Sequence, residues 1–264
     1  MSAVCSAKMM NRRLWSLLFV LACAVRGATA QGSAGTGAEV EPRFVIDMPT
    51  AGMLASGALA LDVDLYADGG VLAGLSYGIF DRLMLGLSYG GTGLIGSGEA
   101  QMDELPGVAA RIRVLEESVS LPALAIGFDS QGRDGYVPSR DRYRIKSPGI
   151  FAAVSKNYTF AGFLSVHGGG NYSLERSDDS GVNWFAGLEK SIGGVLSLLV
   201  EYNVGLNDNA DSSLGKGHGY LGVALRWSVS GGVTLGVYLK DLLENGGEHT
   251  VANRSLRLEF VTRL

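Results

Sequence analysis

LSYGIFDRLMLGLSYGG, residues 75–91, repeats the tetrapeptide Leu-Ser-Tyr-Gly on either side of a polar break at 80–82. Within each half, leucine, isoleucine or tyrosine alternates with glycine or serine. A period of two predicts a pair of β-strands joined by a tight turn. One face of this hairpin would be apolar and the other almost bare. That contrast suits a sheet with lipid on one side and a crowded interior on the other.

The same alternation recurs from residue 57 onward without a helical interlude, and we interpret it as twelve strands. No stretch after residue 30 approaches the 18 consecutive apolar residues of a helical membrane span. The connections between the predicted strands alternate in length. Short ones fall at 80–82, 117–121, around 157–159, 190–194 and 229–232, and longer polar ones at 92–106, 130–147, 174–181, 206–217 and 241–252. The first connection, 67–70, is short but belongs to the side of the long ones, and the stretches 129–135 and 207–213 are expected to be hydrated outer loops.

This alternation of short turns and long loops is typical of an outer-membrane barrel, in which the short turns face the periplasm and the long loops face outward. In lipid every backbone amide and carbonyl needs a protein partner, so the sheet must close on itself. The sequence therefore predicts an all-β protein, a closed antiparallel transmembrane β-barrel of about twelve strands with periplasmic termini.

The N-terminus has the three regions of a secretory signal peptide. Basic residues at 8, 12 and 13 precede an apolar region at 14–25, and Ala28-Thr29-Ala30 forms a cleavage site. We expect a signal peptide over 1–30 cleaved after Ala30, a periplasmic lead or plug segment over 31–56, and the barrel over 57–264. Residues 44–53 could form a plug or a further strand. A second interpretation of the signal is lipidation at Cys23, although the lipobox before it is poor.

Composition excludes several classes of function. Both cysteines, Cys5 and Cys23, fall within the predicted signal, so the mature chain would contain no disulfide, thiolate metal site or cysteine nucleophile. The first 30 residues carry four basic and no acidic side chains, which makes the mature chain more acidic than the full chain at net charge −4. No basic surface for nucleic acid is predicted. The three histidines show no metal-binding spacing, and we predict neither metal nor cofactor.

The last predicted strand resembles an assembly signal of outer-membrane barrels. Leu256, Leu258 and Phe260 alternate with polar residues, and Leu264 stands where a terminal aromatic residue is usual. We therefore expect the barrel-assembly machinery and outer-membrane lipid or lipopolysaccharide as partners.

Three stretches resemble the YjbH-like outer-membrane β-barrels associated with exopolysaccharide production. They are IDMPTAGML (46–54), RIRVLEESVSLPALAIGFDSQG (111–132) and SKNY (155–158). The shared features are Pro49-Thr50-Ala51 near the first strand, Arg111 and Arg113 leading through Glu116 to Pro122-Ala123, Ala125 and Gly127, and then Asp129 and Gly132. The resemblance implies a barrel in the outer membrane and a role in polysaccharide secretion, with polysaccharide as a candidate partner. It carries over no catalytic residue.

Charged residues of both signs share the predicted inner face of the barrel. The candidates for a lumen or substrate path are Arg111, Arg113, Asp129, Glu201, Arg226, Arg257 and Glu259. They could line a pore for anionic saccharides, or they could pair with one another and fill a narrow barrel, because buried charges must be paired or hydrated.

The leading functional prediction is a non-enzymatic pore or accessory component of envelope or exopolysaccharide export. A structural or adhesive barrel with a plugged lumen is the first alternative. The second is a lipid hydrolase in the barrel wall, because Ser165, His167 and Asn171 share one predicted face.

Overall fold

The computed structural model describes residues 40–175, 178–230, 232–246 and 253–264. The predicted signal peptide, its cleavage after Ala30 and the alternative lipidation of Cys23 concern residues outside this range. Within it, no helix is long and apolar enough to cross a bilayer.

The described part of the chain is almost entirely β-structure, with a single 3-10 turn at Pro138–Arg140. The strands are β1 (Ala58–Tyr66), β2 (Gly70–Phe80), β3 (Leu83–Thr92), β4 (Gln101–Met102), β5 (Gly107–Leu115), β6 (Ala123–Asp129), β7 (Arg133–Val137), β8 (Arg142–Ile145), β9 (Gly149–Thr159), β10 (Phe163–Tyr172), β11 (Val182–Ile192), β12 (Leu196–Asn203), β13 (Tyr220–Ser230), β14 (Val233–Lys240) and β15 (Asn253–Arg263).

Twelve of these strands form a closed antiparallel barrel, which confirms the predicted fold. Each barrel strand pairs with the next barrel strand along the chain, and β4, β7 and β8 lie in the connections. The ring is closed by β1 and β15, whose register runs from Ala58↔Arg263 to Leu65↔Leu256. A closed ring leaves no unpaired edge.

The long and short connections lie at opposite ends of the barrel, as predicted, with the short β1–β2 connection at 67–69 on the side of the long loops. We call the end that holds the start of β1 and the end of β15 the terminal end, and the opposite one the loop end. One predicted turn was misplaced: β9 and β10 are joined at 160–162, not at 157–159. The turn lies there because Ala161 and Gly162 take positive φ angles of 45° and 99°, and glycine is the residue that accepts such angles most readily.

The outside of the barrel is an apolar surface. Outward side chains such as Leu87, Trp184 and Leu256 are 60%, 57% and 53% exposed. Soluble monomers rarely expose continuous apolar patches of more than a few hundred Å², whereas a transmembrane barrel presents an apolar band to lipid on all sides. The predicted face assignment of the opening hairpin is correct, because Leu75, Tyr77, Leu85, Leu87 and Tyr89 all point outward.

The bare face of that hairpin makes room for polypeptide inside the barrel. The Ser76 hydroxyl accepts a hydrogen bond of 3.1 Å from Arg43, which belongs to a segment within the lumen. A side chain at Gly78 would overlap the backbone carbonyls of Leu54 and Ala55 in the same segment. Small residues are therefore needed on this face because another part of the chain packs against it.

The 130–147 connection at the loop end is folded and largely buried, which corrects the expectation of a hydrated loop there. The 206–217 loop is exposed or half-exposed apart from Asn207 and Asp208, which are buried. Strands β7 and β8 form a hairpin that turns inward, and Arg133, Asp134 and Arg142 within it are buried. Asp208 in the 206–217 loop is buried against Arg142, at 2.5 Å from its guanidinium. Opposite charges at these positions draw the loops together and away from water.

Candidate functional site: a plugged lumen

Residues 40–56, which we call the plug, enter the barrel from its terminal end and fold back inside it. A short bridge joins Phe44 and Pro49, and the Val45 amide donates to the Met48 carbonyl at 3.0 Å. The Thr50 hydroxyl donates to the Pro42 carbonyl and accepts from the Gly52 amide. Pro49-Thr50-Ala51 therefore shapes a compact turn, and the segment that the sequence left as either plug or strand lies in the lumen as a plug.

Three inward arginines bind the plug through its backbone carbonyls. Arg111 donates to the carbonyls of Arg43 and Gly52, at 2.9 and 2.8 Å. Arg226 donates to those of Phe44 and Val45, and Arg257 donates to that of Ile46 at 3.0 Å. Charge-assisted hydrogen bonds of this kind are stronger than those between neutral groups.

Glu201 binds the backbone amides of the same segment. Its carboxylate accepts from the consecutive amides of Ile46, Asp47 and Met48, at 2.8, 3.1 and 2.9 Å. Successive backbone N–H groups that converge on one point form an anion-binding nest. One wall carboxylate therefore satisfies three amides that would otherwise be buried without a partner, which is costly.

A second group of polar contacts holds the part of the plug nearer the terminal end. Arg113 pairs with Glu41 and donates to the Ala51 carbonyl. The Ala51 amide donates to the Ser155 hydroxyl at 2.9 Å. The plug is thus bonded to the wall along most of its length.

Ion pairs between the plug and the wall satisfy the charged groups in the lumen. Arg43 pairs with Asp62 at 2.7 Å and with Glu259 at 2.9 Å. Asp47 pairs with Lys240 at 2.8 Å. Along the wall itself, Arg257 pairs with Asp64 at 2.6 Å. Both signs are therefore needed in the lumen, because the plug brings an arginine and an aspartate with it.

The structure places all seven predicted lumen residues inside the barrel and turns six of them toward the plug. Arg111, Arg113, Glu201, Arg226 and Arg257 bind it directly, and Glu259 does so through Arg43. Asp129 is buried, but it accepts a hydrogen bond from the Gln131 amide at 2.9 Å. The expected substrate path is closed in this structure, because the plug occupies the lumen and the arginines bind its carbonyls. Whether these residues line such a path in an open state remains a prediction.

Apolar packing fixes the plug at three levels. Near the terminal end Met53 and Leu54 pack with wall residues such as Met84 and Val261. In the middle, Val45 and Ile46 pack with Leu199, Ala224 and Tyr238. Toward the loop end Met48 packs with Phe151, Phe185 and Tyr220 and with Ile145 of the β7–β8 hairpin.

The plug fills the lumen unevenly. It packs against β11 and β13, but beside β1, β2 and β3 it leaves a polar cavity of about 60 Å³, which we call the chamber. A cavity with polar walls and this volume can hold a few water molecules. Its lining includes Phe44, Asp62, Asp64, Gly74, Ser76, Gly86, Ser88, Asp129, Arg133, Arg226, Arg257 and Glu259.

Sequence reasoning did not identify the plug residues Arg43 and Asp47 or the wall residue Ser155 as part of this site. The sequence feature that could have located the plug is a set of glycines on the wall that faces it. A side chain at Gly187 would approach the two methyl groups of Val45 to 2.7 and 2.9 Å, and one at Gly222 would approach Ile46 to 3.0 Å. An inward glycine in β11 and another in β13 therefore mark where the plug packs against the wall.

Two glycine substitutions should separate the packed side of the plug from the chamber side. We expect Gly187→Ala to lower the free energy of unfolding by about 1 to 3 kcal/mol, the usual cost of overpacking a filled core. Gly74→Ala is the matched control, because its added carbon would lie 3.7 Å from the nearest atom. Urea midpoints in lipid vesicles would measure both. Equal midpoints would show that Val45 does not pack on Gly187.

The residues of the predicted lipid hydrolase do not form a nucleophile pair. Ser165 donates to Asn157 at 2.5 Å, and His167 shares a 2.8 Å hydrogen bond with Ser155. Asn171 donates to the Pro148 carbonyl. Because Ser155 also accepts from the plug amide of Ala51, its hydroxyl is part of the plug contact. The arrangement does not favour the hydrolase alternative.

At the loop end an ion-pair network around Arg142 ties three loops together. Arg142 contacts Asp178 at 2.7 Å and Asp208 at 2.5 Å, and Lys146 contacts Asp178 at 2.7 Å. Burial alone would raise the pKa of Asp178, but hydrogen bonds from Lys146 and Arg142 outweigh it and lower the pKa. This carboxylate therefore stabilises the network above its ordinary pKa, and the contribution is lost as the pH falls through the lowered value.

Comparison with known proteins gives structural likeness only. No protein-family model matches the sequence. No curated protein matches it either. Solved structures with a similar course of the chain include a KdgM porin (TM-score 0.47, 9% identity, 78% of this chain and 99% of that one). A NanC porin has a TM-score of 0.44 and 8% identity over 78% of this chain and 100% of that one. The outer-membrane protein Omp33 of Acinetobacter baumannii has a TM-score of 0.43 and 8% identity over 78% of this chain and 97% of that one. The fold assignment rests on the strand pairing of this chain itself.

Proposed function

We propose that this chain is a non-enzymatic outer-membrane β-barrel that works as a gated conduit or accessory component in the export of an anionic envelope polysaccharide. The observation that carries the proposal is how the lumen is closed: wall arginines and Glu201 hold a detachable N-terminal segment by its backbone. Because these contacts are made with a segment that leads out of the terminal end, the segment can leave without any strand of the barrel being broken.

An open state would expose the groups that now bind the plug. Arg111, Arg226 and Arg257, released from carbonyls, could bind the carboxylates of acidic sugars. Acidic neighbours such as Asp62 and Asp64 would keep each contact weak enough for the polymer to move on, as conduction requires. The resemblance to YjbH-like barrels in 46–54, 111–132 and 155–158 is what directs the proposal to polysaccharide.

Membrane location is supported by the apolar outer face together with the closed ring of strands. We place the terminal end in the periplasm, because short turns lie at the periplasmic side of outer-membrane barrels. The plug would then enter from the periplasm, and the Arg142 network would face the outside.

Current block by sugars tests the proposed substrate class. In planar bilayers, a barrel lacking residues 40–56 should be blocked reversibly by short oligomers of uronic acid and much less by neutral glucose oligomers of the same length. Arg226→Gln with Arg257→Gln should weaken the block by roughly tenfold or more, because each charged hydrogen bond contributes about 1.5 to 3 kcal/mol. Equal block by neutral and acidic oligomers would contradict the proposal.

A plugged structural or adhesive barrel is the second candidate, and the loop end favours it. The Arg142 network braces the outer loops into a defined surface. If this candidate is correct, removing the plug will leave the cellular phenotype intact while removal of the 206–217 loop abolishes it. If the chain is a gated conduit, removal of the plug will change the cellular phenotype and removal of the 206–217 loop will leave it intact.

A further inference from the structure

The plug and the β7–β8 hairpin enter the barrel from opposite ends and meet inside it. The Arg133 guanidinium of the hairpin lies over the Phe44 ring of the plug, 4.9 Å from its centroid. Met48 of the plug and Ile145 of the hairpin belong to one buried apolar cluster. A cation over an aromatic ring is attractive, and more strongly so away from water.

One wall residue joins the two segments electrostatically. The Lys240 ammonium contacts Asp47 of the plug at 2.8 Å and Asp134 of the hairpin at 3.2 Å. All three side chains are buried. Two buried carboxylates that share a cation depend on each other's position, because displacement of either changes the charge balance around the other.

The hairpin also reaches the outer surface. Its Arg142 is bonded to Asp178 and Asp208 of two other loops, and the Tyr136 hydroxyl donates to Glu104 at 2.8 Å in an exposed position. A molecule that moves these loops would therefore move the hairpin, and through it the groups that contact the plug.

We infer that the plug tip (residues 44–48) and the β7–β8 hairpin form one coupled gate, in which displacement of the hairpin at the loop end loosens the plug at the terminal end. The inference rests on the proposed function and supplies its regulation. The coupling is reciprocal, since any change in plug occupancy caused by the hairpin implies an equal effect of the plug on the hairpin.

Cysteine accessibility tests the coupling in the full-length barrel in lipid vesicles. The reporter is Met53→Cys, a buried plug position outside the plug tip, and no other cysteine is present after Cys23. Arg133→Ala with Ile145→Ala should raise the rate of maleimide modification at position 53 by roughly tenfold. Arg140→Ala is the matched control, because this hairpin residue is exposed and donates its hydrogen bond to the Ser212 carbonyl, away from the plug.

The reciprocal experiment places the reporter beside the hairpin, at Ser147→Cys, and changes the plug with Phe44→Ala and Met48→Ala. Modification at position 147 should rise by a similar factor. If the double hairpin variant does not fold, Arg133→Gln alone carries the test with a smaller increase. Modification rates that equal the parent in either direction would overturn the coupled gate.

The two proposals fail in different ways. If a barrel without residues 40–56 conducts but the hairpin variants leave position 53 protected, the coupled gate is wrong and the plug remains a gate of its own. If the hairpin variants expose position 53 but the barrel without the plug never conducts, the coupling stands and the proposed conduit is wrong.

Discussion

Removal of residues 40–56 should convert a closed barrel into a conducting pore. The plug fills the lumen from the wall at β11 and β13 as far as the chamber on the other side. It also supports the hairpin through Phe44, Met48 and Asp47. A twelve-stranded ring is wider than an eight-stranded barrel, whose interior wall side chains can fill, so removal of the plug should leave an open channel. We expect steady single-channel steps in planar bilayers where the parent shows a closed baseline.

A chain that lacks only residues 31–39 is the control for this deletion, since it shortens the same N-terminal segment and leaves the plug in place. It should stay closed. If the deletion of 40–56 is folded in vesicles and still shows no conductance, closure of the lumen does not depend on the plug.

Glu201→Ala should open the barrel without removing any of the plug. The substitution leaves the amides of Ile46, Asp47 and Met48 without their acceptor. Breaking one side of a buried charged contact costs about 3 to 5 kcal/mol, and 3 kcal/mol corresponds to a roughly hundredfold change in a two-state equilibrium. We therefore expect the open probability in bilayers to rise by about two orders of magnitude.

Asp129→Ala is the matched control, because Asp129 is also a buried, inward carboxylate but accepts its hydrogen bond from the Gln131 amide just after β6 instead of from the plug. It should leave the open probability near that of the parent. An equal increase in both variants would show that loss of any lumen carboxylate loosens the barrel, and that the Glu201 nest has no special role.

The barrel itself could be predicted from sequence because one physical constraint acts on every strand. Lipid requires an apolar outer side chain at each second position. The same alternation is therefore found in the first hairpin, at Leu75, Tyr77, Leu85 and Leu87, and in the last strand, at Leu256 and Leu258. The tight turns and long loops add an independent pattern. Only boundaries moved, as at 160–162, where the positive φ of Ala161 and Gly162 sets the turn.

The sequence left residues 44–53 as either plug or strand because much of the contact is made with the backbone of this segment. Arg226, Arg257 and Glu201 bind carbonyls and amides that every residue carries, so the side chains of 44–53 alone do not specify these hydrogen bonds. The charged residues point inward as the alternation predicts, and their role in a substrate path stays a prediction. Their partners were not predicted, because Arg43 and Asp47 lie more than 60 residues before Arg111, the first of the predicted lumen residues.

The inward hairpin was missed for a different reason. A polar composition at 130–147 is typical of a hydrated loop, yet Arg133, Asp134 and Arg142 are buried and find partners in Phe44, Lys240 and Asp208. Burial of charge depends on partners that come from distant parts of the chain, and local sequence does not contain them.

Disulfide trapping tests most directly whether the plug occupies the lumen as described. A carbon added at Gly187 would lie 2.7 Å from a methyl group of Val45, which brings the two positions within the reach of a disulfide. We expect Val45→Cys with Gly187→Cys to form the bond under mild oxidation in vesicles and to hold a Glu201→Ala barrel closed until a reductant is added. Val45→Cys with Gly74→Cys should remain reduced. Free thiols at 45 and 187 in a folded, membrane-inserted barrel would contradict the plugged lumen.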